Sequence, residues 1–272
     1  MPEIKIDLEF AHSLQLMLPE YDHVCITLVG CGGTGSWLAP AVARVARLLR
    51  EQRGKEVRVQ FMDPDRVERK NIYRQNFCAA EVRCNKAEAL AERYGRAWGL
   101  EIAAIPQAFN PQLHRYTHTD VIIGCVDNAG GRRAIADCAK DSAINKAIVW
   151  LDCGNTRSYG QVLCGVKGVK NPFGIPGFCG ELPMPHKQHP ELLVDAPEEV
   201  LAEGSCAEIA LQESQGLAIN QRMAAEAADY LVRLLVTRDL RKFATYLNLE
   251  SGTVMSRYIT KKAVMEMLGK EG

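Results

Sequence analysis

The sequence predicts a three-layer α/β fold whose sheet is mostly parallel and carries an antiparallel C-terminal extension. Three observations predict it. Strand-like apolar runs alternate with helical stretches over residues 22–166, the pattern of a parallel sheet covered on both faces. The first run, Val24 to Val29, enters a glycine-rich turn, Gly30-Cys-Gly-Gly-Thr-Gly35, and then helix-forming residues. After a proline-rich interval at 168–205, a long helical stretch leads into two strand-like runs spaced for a hairpin.

Residues 1–22 read as a preface with one amphipathic helix over Leu8–Met17. The helix after the glycine turn spans about Ser36–Gln52, and Pro40 within it is expected to bend it or delay its regular part. Glu56–Met62 alternates with period two, a second strand. Asn85–Trp98 reads as a helix and Glu101–Ile105 as a short strand. Asp120–Val126 is almost continuously apolar, as for a strand buried on both faces. A helix over Gly130–Ala143 and strands over Ala147–Asp152 and Gln161–Val166 follow. The interval 168–205 holds six of the twelve prolines, with His186 and His189, and an irregular stretch of that length is a candidate lid. Helix Ala207–Val236, hairpin strands Phe243–Leu249 and Val254–Ile259, and a last short helix complete one domain over 1–272.

The 272 residues are 47% apolar, enough for a large core. Lys+Arg and Asp+Glu balance at 33 each, which argues against a nucleic-acid partner. There is no apolar run of about 18 residues, so no membrane span is expected. The N-terminus lacks the basic-then-apolar order of a signal peptide. The ten cysteines form no C-x-x-C, and several sit in apolar runs as small hydrophobes do. A reducing, cytoplasmic setting is the expectation.

The glycine turn between strand and helix is the context in which G-x-G-x-x-G binds phosphates, in a Rossmann-like arrangement. Free N–H groups and the positive end of the helix dipole point at the anion. Asp63 ends the next strand, where an acid bonds ribose hydroxyls. Then comes Asp63-Pro-Asp-Arg-Val-Glu-Arg-Lys-Asn-Ile-Tyr-Arg-Gln75, with Asp65, Asn71, Arg74 and Gln75, and Lys86 lies eleven residues on. Asp127-Asn128 ends the strand after that. Parallel strands bring their carboxyl ends to one edge, so Gly30, Gly32, Gly33, Gly35, Asp63 and Asp127 are expected in one cleft. Arg74 and Lys86 can reach a triphosphate there, and Asp127 can hold Mg²⁺. Two cations and a metal-binding acid suit ATP better than NAD.

This constellation resembles the ThiF/MoeB/HesA family, relatives of ubiquitin-activating enzymes. The resemblance rests on Gly30-Cys-Gly-Gly-Thr-Gly35, Asp63-Pro-Asp65, Asn71-Ile-Tyr-Arg-Gln75, Lys86 and Cys125-Val-Asp-Asn128, and covers about residues 22–250. Within the family the chain looks most like the ThiF-type protein of PRTRC gene systems, on its short N-terminus, its glycine turn and Ser205-Cys-Ala-Glu208. The resemblance implies ATP- and Mg²⁺-dependent adenylation of the C-terminal carboxylate of a ubiquitin-like or sulfur-carrier protein with a Gly-Gly tail. It implies that Asp63 holds the ribose and Asp127 the metal. It also implies a homodimer and, as a further partner, a conjugating-enzyme-like protein. Cys206 matches a cysteine that becomes acylated in some relatives, and a thiolate at a helix N-terminus is activated for attack.

Two departures stand out. The paired C-x-x-C motifs that bind structural zinc in many relatives are missing, so no structural zinc is expected. Residues 1–43 contain no arginine, whereas many relatives lend one to the partner subunit's ATP site. Alternative functions are an NAD-dependent Rossmann oxidoreductase and a non-catalytic adaptor for a ubiquitin-like protein. Each motif also has a structural reading. The glycines can serve packing, Asp65 a turn, Asp127-Asn128 a helix cap, Arg74 and Lys86 the solvated surface, and Cys206 an inert position. His114 and His118 have metal-ligand spacing but read as surface histidines. Cys179, His186, His189 and Cys206 offer an unorthodox zinc set.

Overall fold

The computed structural model describes residues 8–112, 119–140, 147–169, 176–195 and 206–267, with backbone alone for 206–217. His114 and His118 lie outside the described residues. The strands are β1 (Gln15–Leu16), β2 (His23–Val29), β3 (Glu56–Met62), β4 (Ile102–Ile105), β5 (Thr119–Gly124), β6 (Ala147–Asn155), β7 (Tyr159–Lys167), β8 (Phe178–Cys179), β9 (Lys242–Asn248) and β10 (Thr253–Tyr258). The helices are α1 (Gly33–Arg53), α2 (Lys86–Trp98), α3 (Ala129–Lys140), α4 (Pro185–Gln188), α5 (Cys206–Leu231) and α6 (Lys261–Met267). A π-helical turn, Val232–Val236, extends α5. Among the described residues no helix is long and apolar enough to cross a membrane.

The eight-stranded sheet runs β10-β9-β7-β6-β5-β2-β3-β4. Its strands are parallel from β4 to β6 and antiparallel from β6 through β7 and β9 to β10. Side-chain alternation along the strands sorts the core into two layers. Ile26, Leu28, Val121, Ile123, Val149 and Leu151 pack with Leu38 and Val42 of α1, Leu90 of α2 and Met223 of α5. Val29, Ile122, Ile148 and Trp150 face the other way, onto Ile135 of α3 and Met184 beside α4. The predicted three layers and mixed sheet are therefore present.

The N-terminal segment differs from the expected helix. Glu9–His12 makes only a 3-10 turn, closed by Ser13 Oγ donating to Phe10 O at 2.6 Å. The chain then extends as β1 and pairs with β8, and Leu16 and Leu18 are buried. Backbone bonds from Leu14 to Ile259 and from Leu16 to Leu240 add to that pairing. Long-range partners thus override a local helical period.

Pro40 leaves α1 continuous over Gly33–Arg53. Its ring nitrogen cannot donate to the carbonyl four residues back. That carbonyl, Ser36 O, accepts instead from Asn76 Nδ2 at 3.2 Å, while Asn76 N donates to Ser36 Oγ at 2.9 Å. We predict that Asn76→Ala lowers stability by about 1 kcal/mol. In a Pro40→Ala background, where the helix can satisfy Ser36 O itself, the loss should be smaller. Urea unfolding of the double-mutant cycle measures this; equal losses in both backgrounds would contradict it.

Candidate active site

The site lies at the carboxyl ends of the parallel strands, beside the point where the chain turns from β2 toward β3 on one side and β5 on the other. Gly30 follows β2 with φ +88°, a conformation open to glycine. A Cβ there would also lie 2.6 Å from Cys125 O at the end of β5. A Cβ at Gly35 would meet Gly30 O at 1.9 Å, so α1 seats directly on the loop. Gly33 is crowded by the Asn220 side chain of α5.

Asp63 ties the loop to the next crossover. Its Oδ2 accepts from Cys31 N at 2.6 Å and its Oδ1 from Asp65 N at 2.8 Å. Burial pushes the Asp63 carboxyl above its ordinary value, and the two amides and Lys86 pull it back only in part. Asn85 caps α2 by accepting from Ala87 N and Glu88 N, and its Nδ2 donates to Asp63 O and Asp65 O. Lys86 is thereby delivered, largely buried, with Nζ donating to Asp65 Oδ2 at 2.9 Å. Asp65 serves as an ion-pair partner as well as a turn residue.

A 3-10 turn, Arg69–Tyr73, carries the next residues. Buried Asn71 accepts from Glu68 N through Oδ1 and fixes the turn. Trp37 Nε1 donates to Arg74 O at 3.1 Å. Among the described residues, Arg74 Nε and Gln75 Oε1 are buried without a hydrogen-bond partner. Buried polar atoms are rarely left this way unless a ligand or water completes them. Asn128 caps α3 by accepting from Gly131 N, and Asp127 stands exposed beside it.

Of the nucleotide-site residues expected from the sequence, all but Gly35 line one cavity of about 1810 Å³. Gly30, Gly32, Gly33, Asp63, Asp65, Asn71, Arg74, Gln75, Lys86, Asp127 and Asn128 meet there. Gly35 serves the packing of α1 on the loop. Cys206 begins α5, and its side chain lies outside the described residues. Cys31 and Cys153 are fully buried, and their thiols are pushed well up, Cys31 by burial first and Cys153 by its bond with Cys125 and by burial. Among the described residues no three His, Cys, Asp or Glu side chains gather as a metal site. Asp127 is a single carboxylate, which suits Mg²⁺ held mainly by phosphate oxygens.

The cavity continues past β6 onto the antiparallel strands, where Gly154, Gln161, Tyr246 and Met255 line it. Three further polar residues, Asn220, Arg132 and Asp152, had no role in the sequence reading, and His189, offered there as a zinc ligand, makes other bonds. Asn220 accepts from Thr34 Oγ1 at 3.4 Å and from Asn155 Nδ2 at 2.7 Å, and donates to Arg74 O at 3.4 Å. Arg132 Nε donates to both oxygens of fully buried Asp152, at 3.3 and 3.2 Å. His189 bridges Glu191 and Tyr246, 2.7 Å from each, joining the interval after β8 to β9. A polar Asn inside the apolar pattern of Ala218-Ile-Asn220 was the one local signal; the other pairings join residues distant in sequence.

Burial pushes Asp152 up to about 6 against the pull of Arg132. Between the ordinary value and about 6 the folded chain holds a proton that the unfolded chain has released. The group therefore stabilises the fold most at the acid end of that window and loses the contribution as pH rises through about 6. Carboxyl ¹³C NMR should give an Asp152 midpoint of about 6; titration near 3.8 would contradict the assignment.

No curated protein matches the sequence. Solved structures share the fold. PaaA aligns with TM-score 0.55 at 18% identity, over 88% of this chain and 64% of its own. MccB of E. coli with ATP aligns with TM-score 0.55 at 16% identity, over 87% of this chain and 63% of its own. MccB with AMPCPP and MccA gives TM-score 0.52 at 15% identity, over 86% and 63%. The chain thus spans less than two thirds of the length of these proteins. The ThiF family pattern matches residues 15–251, and the chain belongs to the ThiF family.

Proposed function

We propose that this protein uses ATP to adenylate a C-terminal carboxylate, and that the acceptor is a ubiquitin-like or sulfur-carrier protein ending in Gly-Gly. One observation carries the reading: Arg74 and Gln75 each hold a buried polar atom without a partner among the described residues, on a cavity shared with the glycine loop, Lys86 and Asp127. MccB has been crystallised with ATP, and with AMPCPP together with MccA, which supports a nucleotide and a peptide chain for this fold.

The chemistry asks little of a general base. An α-carboxyl with a pKa of about 3.5 is ionised at neutral pH. It attacks the α-phosphorus as the bond to pyrophosphate breaks, so the work is alignment and charge neutralisation. Glycine-loop amides cradle the phosphates, Asp63 holds the ribose, and Arg74, Lys86 and Asn71 balance the developing charge. Asp127 would hold Mg²⁺, which when bound neutralises phosphate charge. The interval 168–205 serves as lid and tail clamp: Glu191 and Leu192 edge the cavity, and Leu182 bridges to Val166. The Cys206 thiolate then attacks the adenylate carbonyl and forms a thioester as AMP leaves; a Cys206 persulfide, charged beforehand by a sulfane-sulfur donor, would displace AMP in the same way to give an acyl-persulfide. The motif resemblance extends the reading to a homodimer of the PRTRC group and to a conjugating-enzyme-like partner.

Calorimetry with MgATP should show binding to the wild type, weakened at least about tenfold by Arg74→Met or Lys86→Met. ATP–pyrophosphate exchange should require a Gly-Gly-terminated carrier. Unchanged nucleotide affinity in both variants, or binding of NAD in place of ATP, would contradict the reading; ATP binding without exchange would favour an adaptor. The covalent carrier adduct should be dithiothreitol-sensitive and vanish in Cys206→Ala; an adduct that survives the substitution sinks the role given to Cys206.

A further inference from the structure

The wall between the nucleotide half of the cavity and the antiparallel extension holds two donors that the adenylation reading does not use. Arg132 and Gln161 line the cavity on either side of Gly154. The sheet register pairs Gly154 with Gln161 and Asp152 with Gly124. Gly154 lies two residues past Asp152, and the chain leaves the partner strand β5 at Gly124, three residues before Asp127.

A Cβ at Gly154 would sit 3.2 Å from Arg132 Nη2 and 3.7 Å from Gln161 Nε2. The glycine lets the guanidinium and the Gln161 side chain, whose Cγ is also 3.7 Å from that Cβ position, close over the strand side by side. The Arg132 guanidinium is fixed there. Its Nε is spent on Asp152, and Nη1 and Nη2 bond to none of the described residues. The side chain keeps 11% of its exposure, and Asp152 keeps none. A buried carboxylate thus holds a cation by one edge and leaves its Nη edge toward the cavity. A planar fork with a second donor beside it matches a carboxylate.

We propose that Arg132 and Gln161, converging over Gly154, form a carboxylate subsite that seats the C-terminal carboxyl of the tail beside the nucleotide, with Asp152 as the positioning residue for Arg132. The inference rests on the adenylation reading for its reaction, though not for its ligand chemistry.

The probe is N-acetyl-glycylglycine, compared with its C-terminal amide. Binding is followed by ¹⁵N NMR, with and without a non-hydrolysable MgATP analogue. Wild type should prefer the acid at least about tenfold, the size of a charge-assisted pair. Arg132→Gln should bring acid and amide to within about threefold of each other. Gln161→Leu should weaken the acid alone, and Gly154→Ala should do so by pressing the guanidinium out of place. Arg132→Gln leaves Asp152 unpaired in the core and can unfold the chain. In that event Arg132→Leu combined with Asp152→Asn removes both charges and is read in the same way. Asp152→Asn alone should reduce the acid preference, which a purely structural role would leave intact. Equal binding of acid and amide to wild type, no saturable binding of the acid, or an acid preference that survives loss of Arg132 would each overturn the subsite. Failure of the wild type to bind MgATP sinks the adenylation reading instead, since acid preference without nucleotide is measured separately.

Discussion

The Asp63 carboxylate is the tie on which the site depends. One oxygen takes Cys31 N from the glycine loop and the other takes Asp65 N from the following turn. The backbone carbonyl of the same residue takes Asn85 Nδ2, which starts α2 and so places Lys86. Three separate stretches of chain meet at one residue that is only 5% exposed. Burying a carboxylate is costly unless it is well bonded, and the cost shows in its raised pKa. Amide donors at fixed backbone positions offset it, and they also hold the loop open toward the cavity.

A second polar centre couples the two halves of the fold. Asn220 of α5 reaches Thr34, Arg74 and Asn155, so the long C-terminal helix is hydrogen-bonded to α1, to the loop before α2 and to β6. The buried pair Arg132–Asp152 lies across the sheet from it, where α3 meets β6. Such pairs contribute little net stability, and removing one partner is expensive. Their usual value is to fix an arrangement. Here they fix which donors face the cavity at the boundary between parallel and antiparallel strands. His189 extends the wall by joining Glu191 to Tyr246.

The sheet was legible because its signals are local. Val24–Val29 and Asp120–Val126 read as strands from their apolar runs, and Glu56–Met62 from its alternation. The glycine turn marked the ligand edge, and the rule that parallel strands share an edge brought Asp63 and Asp127 together. What stayed hidden depends on distant partners. Gln15–Leu16 became a strand because β8 and Leu240 offer backbone bonds, which no period in residues 8–17 reveals. Pro40 sits in an unbroken helix because Asn76 satisfies Ser36 O. Arg132 fell inside the helix expected over Gly130–Ala143 with no role of its own, and Asp152 at the end of a strand. Only the register of β6 beside α3 makes them a pair.

The most direct test of the central claim, that one edge of this sheet is a triphosphate site, is a crystal structure with MgATP. The account predicts phosphates against the Gly30–Gly33 amides, with Arg74 Nε and Lys86 Nζ within hydrogen-bond reach of phosphate oxygens and Asp127 facing the metal. A nucleotide bound elsewhere, or an Arg74 whose Nε is still without a partner beside a bound nucleotide, would contradict it.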